Sequence, residues 1–138
     1  MTTSKIVDIP LKMEKFYGKG SMLHPSIEAV EELIKTIPKG CITTIDVLAK
    51  RLANDFDTDV TCPMRTGNAI KKIAERYAID TVDHNIPFWR VIRSNAFVIK
   101  SKNYEFSASQ IEAEGFELLY TKSDTIKVII DTNSMFSF

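Results

Sequence analysis

The sequence is poor in the features of secreted and membrane-spanning proteins. Its 138 residues include two cysteines, Cys41 and Cys62, which are too few for a disulfide framework and are expected to be small buried thiols. No apolar run approaches the length of a membrane span, and the first residues lack the apolar stretch of a signal peptide. We therefore expect an intracellular protein, in the cytoplasm or at the chromosome (nucleoid or nucleus), that does not enter a membrane.

Patterns of catalysis and of cofactor or metal binding are equally scarce. The chain has no nucleophile–base pair and no phosphate-binding loop, and its two histidines share no metal-ligand spacing with either cysteine. The aspartates of residues 53–61 begin like a calcium loop, but Val60 stands where that loop requires glycine and Thr66 where it requires glutamate. We expect no enzyme activity, no metal and no cofactor.

A net charge of one sign is also lacking, since 18 basic and 18 acidic residues balance to zero. The distribution is nevertheless uneven. Residues 35–102 carry twelve bases and seven acids, a balance of +5, whereas residues 103–138 carry two bases and six acids, a balance of −4. The basic middle segment suggests a surface for an anion, and the alternative is an ordinary solvated surface of mixed charge.

The length and composition of the chain are those of a single globular domain. Hydrophobic residues make up 44% and charged residues 26%, which is ordinary usage for a chain that builds one core. Apolar residues at spacings of three and four predict one amphipathic helix over 25–37 and a second after Thr44, which is placed to cap it. Pro63 suits the first turn of a third helix, which would bury a stripe of Ala69, Ile70, Ile73, Ala74 and Tyr77.

The second half of the chain is richer in strand-forming residues. Two such runs, 86–93 and 96–100, are separated by a turn signal and predict a β-hairpin. Ser107 begins a capping-box pattern, which predicts a short helix that ends at Gly115.

This order of elements predicts an α/β fold that is mainly α, a winged helix-turn-helix with three helices, a β-hairpin wing and a short C-terminal helix. We expect the winged-helix domain to span 23–120. A loosely docked N-terminal arm over 1–22 would precede it, and a C-terminal strand and tail over 121–138 would follow. In a winged helix the third helix enters a groove of the duplex and the wing contacts the backbone.

Gly67 is unusual because it lies inside the third predicted helix. Glycine costs about 1 kcal/mol relative to alanine in a helix interior. Two explanations are open, namely close approach of a phosphate or base, or close packing against the second helix.

Three stretches resemble the C-terminal DNA-binding domain of the DNA alkyltransferase family, the methylated-DNA–protein-cysteine methyltransferases. Residues 38–49, PKGCITTIDVLA, are similar to the family's Gly-x-Val-Thr-Thr-Tyr-Gly-Asp-Ile-Ala, and residues 63–70, PMRTGNAI, to its Pro-Arg-Ala-Val-Gly-Asn-Ala-Leu. The third similarity is to the family's Ile-Pro-Cys-His-Arg-Val-Ile, which matches residues 86–94, IPFWRVIRS. The motif that follows it in the family, Gln-x-x-Leu-Glu-x-Glu-Gly, is similar to residues 110–116, QIEAEGF. The resemblance implies the winged-helix fold and a DNA partner.

The residues that carry this family's chemistry are replaced. Phe88 and Trp89 stand where the family has the cysteine that accepts the alkyl group and the histidine that activates it, and neither is a nucleophile or base at neutral pH. Glu114 matches the glutamate that orients the histidine, and without the histidine we expect an exposed carboxylate at a helix end. Ile45 replaces the tyrosine that helps to rotate the target nucleotide out of the stack, and Met64 replaces the arginine that fills the vacated space.

The missing cysteine makes the chain similar to the alkyltransferase-like proteins, which bind alkylated guanine without repairing it and present the lesion to other repair proteins. The resemblance therefore implies a non-enzymatic protein that binds double-stranded DNA, including alkylated duplexes, with a further repair protein as second partner. The residues expected to contact DNA are Thr43, Thr44, Met64, Arg65, Asn68, Lys71, Lys72 and Arg93. Those expected at the base pocket are Ile45, Phe88, Trp89, Arg90 and Glu114.

Two alternatives stay open. Phe88 and Trp89, expected on a strand and facing opposite sides, either line the base pocket or simply fill the core. The whole chain is alternatively a winged-helix module for protein–protein interaction or self-assembly that has lost lesion recognition. The replacements at Ile45 and Met64, the zero net charge and the hydrophobic tail over 135–138 favour that alternative.

Overall fold

The computed structural model of the chain describes residues 4–79, 86–101, 104–121 and 125–138, and His84 lies outside these ranges. The helices are α1 (Glu14–Tyr17), α2 (Ile27–Ile34), α3 (Ile45–Asp55), α4 (Pro63–Ile79) and α5 (Tyr104–Ala113). The strands are β1 (Lys5–Asp8), β2 (Ser21–His24), β3 (Thr43–Thr44), β4 (Val60–Thr61), β5 (Val91–Ile92), β6 (Glu117–Tyr120) and β7 (Ile126–Ile129). The mixed, mainly helical architecture that the sequence predicts is confirmed.

The three predicted helices are confirmed, and local signals set where they begin. Ser26 caps α2 by accepting a hydrogen bond from the backbone N–H of Ala29 at 3.1 Å, and Thr44 caps α3 by accepting one from Val47 at 3.5 Å. Pro63 is the first residue of α4, where its missing N–H leaves no intrahelical bond unmade.

The main core lies among these three helices. Aliphatic side chains from each of them are almost completely buried there: Val30, Ile34, Leu48, Leu52, Ile70 and Ile73. Each such side chain stabilises the fold by about 1.5–3 kcal/mol relative to an exposed position. Because one side of α4 faces this core, its other side is left to solvent, and that side carries the candidate site.

The N-terminal segment differs from the loosely docked arm that the sequence predicts. β1 pairs antiparallel with β2, which places Lys5 opposite His24, and β2 pairs in parallel with β4. Ile9, Met22 and Cys62 are buried in a small separate core beside this sheet. The pairing was not visible in the sequence because the partner strands lie far apart along the chain. The proposed boundaries at residues 22 and 120 stay a prediction.

The hairpin predicted over residues 86–100 is reduced to its turn, where the N–H of Arg93 donates to the carbonyl of Phe97 at 2.9 Å and that of Ala96 to the carbonyl of Arg93 at 2.8 Å; the extended pairing of the two runs is wrong. Phe88–Arg90 forms a 3-10 turn, β5 pairs in parallel with β3, and the backbone at residues 96–98 bonds to β7. The antiparallel hairpin of the fold is β6–β7. Strand propensity identified extended segments but could not choose their partners, because pairing is decided by contacts distant in sequence.

Two further local findings bear on the site. α5 begins at Tyr104, so Ser107 lies within the helix, is 4% exposed and is not the predicted cap. Gly115 follows the helix with φ of 101°, a left-handed conformation that suits glycine and agrees with the predicted end. None of the described helices combines the length and the hydrophobicity needed to cross a bilayer.

Candidate nucleic-acid interface

The exposed side of α4 carries the polar residues that the helical pattern assigned to it. Ala69, Ile70, Ile73 and Ala74 are at most 5% exposed, which confirms these four positions of the predicted buried stripe; the side chain of Tyr77 lies outside the described part of the chain. The predicted contact residues of this helix all face solvent: Met64, Arg65, Asn68, Lys71 and Lys72. Met64 is 73% exposed at the start of the helix, so its side chain is free to contact a partner.

A groove of about 360 Å³, here called the first groove, lies along one flank of α4. Its walls come from three parts of the chain that are distant in sequence: the first turns of α4, the start of α3 and the turn that follows β5. The residues around it are Ile45, Asp46, Pro63, Met64, Gly67, Asn68, Lys71, Arg93, Ser94 and Ile99. The structure thus brings together five of the predicted site residues, and it adds Asp46, which the sequence analysis missed.

The other two predicted residues of α4 lie on its opposite flank. Arg65 and Lys72 border a second groove of about 500 Å³, together with Lys5 of β1 and His24 of β2. Asn68 borders both grooves, so the exposed side of α4 is a ridge between them. Lys5 and His24 were not predicted, since only the β1–β2 pairing brings them to α4.

The two threonines of β3 differ in what they can contact. Thr43 is 0% exposed, so the prediction that its side chain reaches a phosphate is wrong. The cause is the pairing of β3 with β5, which places Thr43 opposite Val91 inside the domain. Thr44 is half-buried and its hydroxyl caps α3.

The described basic residues of the middle segment lie in ion pairs, as Lys35 does with Glu32, at the two grooves, or at exposed positions elsewhere, as Lys39, Lys50 and Lys100 do. Three arginines are bound internally, Arg51 to Asp55 at 2.8 Å, Arg76 to Glu31 at 2.9 Å and Arg90 to Glu114 at 3.0 Å. In the part of the chain that the structure describes, the four cations at the grooves have no carboxylate oxygen within 4.0 Å: Arg65, Lys71, Lys72 and Arg93. Four cations of this segment without a carboxylate partner therefore lie on the two flanks of α4.

Gly67 lies on the wall of the first groove rather than against the second predicted helix. A Cβ added at this position would meet no heavy atom of the protein's other segments within 4 Å. Close packing against α3 therefore does not explain the glycine. The other explanation, close approach of a phosphate or base, stays a prediction.

The predicted base pocket around Phe88 is filled. Phe88 is 3% exposed and packs in the main core, with its ring 5.2 Å from that of Trp89 and 6.3 Å from that of Phe106, measured between centroids. The space left beside Phe88 and Trp89 is about 10 Å³, near the lower limit for one water molecule. Because residues 88–90 form a 3-10 turn, the strand-like alternation expected for these two side chains is wrong. Phe88 fills the core, as the second of the two open interpretations had it.

Glu114 is buried and fully engaged, which corrects the prediction of an exposed helix-end carboxylate. Its side chain is 5% exposed. It accepts hydrogen bonds from the indole N–H of Trp89, from Nε of Arg90 at 3.0 Å and from the backbone N–H of Gly40 at 3.0 Å. Arg90 also donates to the carbonyl of Ile37 at 2.7 Å, and its guanidinium lies 5.8 Å from the Trp89 ring centroid.

A signal for this network was present in the sequence. Trp89 replaces a histidine, and an indole, like an imidazole, offers a ring N–H donor. Glu114, which matches the glutamate that orients the family's histidine, therefore still has a ring N–H donor from which to accept a hydrogen bond. Trp89, Arg90 and Glu114 do not line the first groove; they tie the 3-10 turn to the end of α5 and to the loop before β3.

Comparison with known proteins supports the fold. No protein-family model and no curated protein matches the chain in sequence. Two crystal structures from S. pombe match its fold, one of Atl1 in complex with damaged DNA containing O6-carboxymethylguanine (TM-score 0.60) and one of ATL in complex with DNA (TM-score 0.57). Each is 19% identical to this chain, and each superposition covers 80% of this chain and 94% of the other. The chain therefore has the fold of S. pombe Atl1, the alkyltransferase-like fold that the sequence resemblance implies.

Proposed function

We propose that the protein binds double-stranded DNA through the ridge of α4 and the first groove, in a role in DNA repair within the cell. The observation that carries this proposal is that cations without a carboxylate partner among the described residues converge with an amide and an exposed apolar side chain on and beside α4. Lys71 and Arg93 would contact phosphates, which supply most of the affinity of such complexes. The two structural neighbours, both DNA complexes, support the same partner.

An alkylated guanine is the proposed ligand within the first groove. Its volume of about 360 Å³ falls in the range of small-ligand sites. Ile45, Met64 and Ile99 offer apolar contacts, while Asp46, Asn68 and Arg93 offer polar ones. A base held there would lie outside the space that Phe88 fills. The neighbour crystallised with O6-carboxymethylguanine supports a lesion of this class.

The protein would bind without transferring the alkyl group. Phe88 has no heteroatom to accept an alkyl group, and it is buried. Cys62 is buried beside β2 and β4, and Cys41 is half-buried against the main core. Neither thiol borders the first groove. A bound lesion would therefore stay intact and remain available to a further repair protein.

The hydrophobic tail over 135–138 gives less support than expected to the alternative of a protein–protein interaction module. Phe136 and Phe138 of the hydrophobic tail pack against the main core, with ring centroids 5.0 Å apart. The backbone N–H of Phe136 donates to the carbonyl of Ile42 at 2.8 Å. The two phenylalanines of the tail are thus engaged within the domain, while Met135 is 37% exposed.

A salt titration of duplex binding tests the proposal. Two labelled duplexes that differ by one O6-alkylguanine are titrated with the protein, and binding is followed by fluorescence anisotropy. With about four phosphate contacts, log affinity should fall with log salt at a slope near −3.6, and the alkylated duplex should bind more tightly. The intact mass of the protein should be unchanged after incubation with the alkylated duplex.

Variants assign the contact surface in the same titration. Lys71→Gln with Arg93→Gln should reduce the magnitude of the slope by about 1.8, at about 0.9 per phosphate contact. Lys50→Gln, at an exposed position of α3 outside both grooves, is the matched control and should keep the parent slope. No binding at low salt would contradict the proposal and favour the interaction module. Equal affinity for the two duplexes would be consistent with the proposed DNA binding but would contradict the proposed recognition of alkylated guanine.

A further inference from the structure

The second groove is a concentration of positive charge built from two separate parts of the chain. Arg65 and Lys72 are seven residues apart on α4, about two turns, so they lie on the same flank of the helix about 10 Å apart along its axis. Lys5 reaches this flank from β1, and His24 from β2. No acidic residue is among the described residues that line the groove.

The position of Lys5 is fixed by the pairing of the N-terminal strand. Lys5 is the cross-strand partner of His24. The preceding residue, Ser4, accepts a hydrogen bond from the backbone N–H of Ser26 at 2.9 Å, and its hydroxyl lies 3.3 Å from that of Ser26. These bonds attach the start of β1 to the N-cap of α2, which itself borders the groove. The strand therefore adds a cation at a fixed place beside α4.

The positive charges of Arg65 and Lys5 act on His24, and the described part of the chain offers the cations of this groove no counter-ion. Among the residues that the structure describes, Lys5, Arg65 and Lys72 have no carboxylate oxygen within 4.0 Å. Burial, and then the charges of Arg65 and Lys5, lower the pKa of His24 below its usual value. An anion in the groove would offset the repulsion among these groups.

We propose that the second groove binds a backbone phosphate of the duplex, on the strand opposite to the one that lies at the first groove. This inference rests on the proposed function. A helix placed in a groove of a duplex has a sugar–phosphate backbone on each side, and α4 is a ridge with a basic groove on each flank. The guanidinium of Arg65 offers paired donors to phosphate, and the two ammonium groups add point charges. The N-terminal strand thereby becomes part of the DNA-binding surface.

The test compares Lys5→Gln with Lys50→Gln in the full-length protein bound to unmodified duplex. Lys5 is an exposed strand residue, so its replacement by glutamine should leave the fold intact, as the melting temperature would verify. Lys5→Gln should reduce the magnitude of the salt slope by about 0.9, whereas Lys50→Gln should leave it at the parent value. A Lys5→Gln slope equal to that of the parent, in a parent that binds, would overturn this inference and leave the proposed function standing. A parent that does not bind at low salt would overturn both.

The pKa of His24 provides a second, independent test of a phosphate in the second groove. Its pKa is measured by NMR titration of the imidazole signals in the free protein and in the duplex complex. A phosphate beside His24 should raise the pKa in the complex, because the anion offsets the cations that lower it in the free protein. An unchanged or lower value would contradict a phosphate at this place. A rise produced by a polyglutamate peptide but not by duplex would assign the groove to an acidic protein segment instead.

Discussion

Glu114 joins three parts of the chain through one carboxylate. Trp89 and Arg90 come from the 3-10 turn and Gly40 from the loop before β3, while Glu114 itself follows α5. The Arg90 and Glu114 side chains are 15% and 5% exposed, so little water is available to replace a lost partner. The network therefore holds in place the turn that carries Phe88 and leads into β5.

Removing this carboxylate should be costly. Glu114→Ala leaves a nearly buried guanidinium unpaired and two N–H donors without their acceptor, so the free energy of unfolding should fall by about 3–5 kcal/mol. Asp55→Ala is the matched control, because its ion pair with Arg51 is about 40% exposed on both sides and should contribute at most about 1 kcal/mol. Urea denaturation followed by Trp89 emission measures both variants. Equal losses for the two would show that the Glu114 network contributes no more than a surface pair.

Local pattern predicted some residues of the site and could not predict others. The exposed positions of α4 follow from helical periodicity, which needs only neighbouring residues. The role of Glu114 depends on partners 24, 25 and 74 positions away, and that of Lys5 on a strand pairing with His24. The burial of Thr43 escaped prediction for the same reason, and the tertiary fold also decided between the pocket and the core for Phe88.

The candidate site depends mainly on helix α4. One side of the helix is held by the core and the other is a ridge between two grooves. Gly67 leaves the helix backbone accessible from the first groove. The glycine costs helix stability with no packing contact to offset that cost, which fits the approach of DNA proposed for the first groove.

Gly67→Ala should separate stability from binding. The added methyl meets no other part of the protein, so the helix should gain about 1 kcal/mol and the Tm should rise. The same methyl projects toward the first groove, and we expect duplex affinity to fall about tenfold, or about 1.4 kcal/mol. Thermal denaturation and the anisotropy titration test the two effects on one variant, so a loss of folding cannot explain a loss of binding. A more stable variant with parental affinity would show that DNA does not approach the helix at this position.

The helices could be predicted from sequence more fully than the strands. Caps and apolar spacing are local, and they located α2, α3 and α4 to within a few residues. β5 pairs with β3, and residues 96–98 pair with β7, so the partners of the region predicted as a hairpin lie far along the chain. The N-terminal sheet escaped prediction because β2 pairs with both β1 and the distant β4.

Basic and acidic residues are equal in number in the sequence, but the folded protein does not distribute them evenly over its surface. The net charge is zero, yet three arginines of the middle segment are neutralised internally while other cations line the flanks of α4. In the described part of the chain, no residue after Ile99 borders either groove, so the acidic C-terminal segment stays away from them. This arrangement gives the exposed side of α4 cations on both of its flanks, which suits that side to a polyanion.

Amide chemical-shift mapping with a short duplex tests most directly whether this side binds DNA. Nitrogen–proton correlation spectra of the labelled protein are recorded as duplex is added at low salt. The largest shifts should occur at the start of α3, along residues 63–72 of α4 and at Arg93 and Ser94, with small shifts along the β6–β7 hairpin. Shifts confined to that hairpin or to the C-terminal tail, with α4 unchanged, would contradict the account.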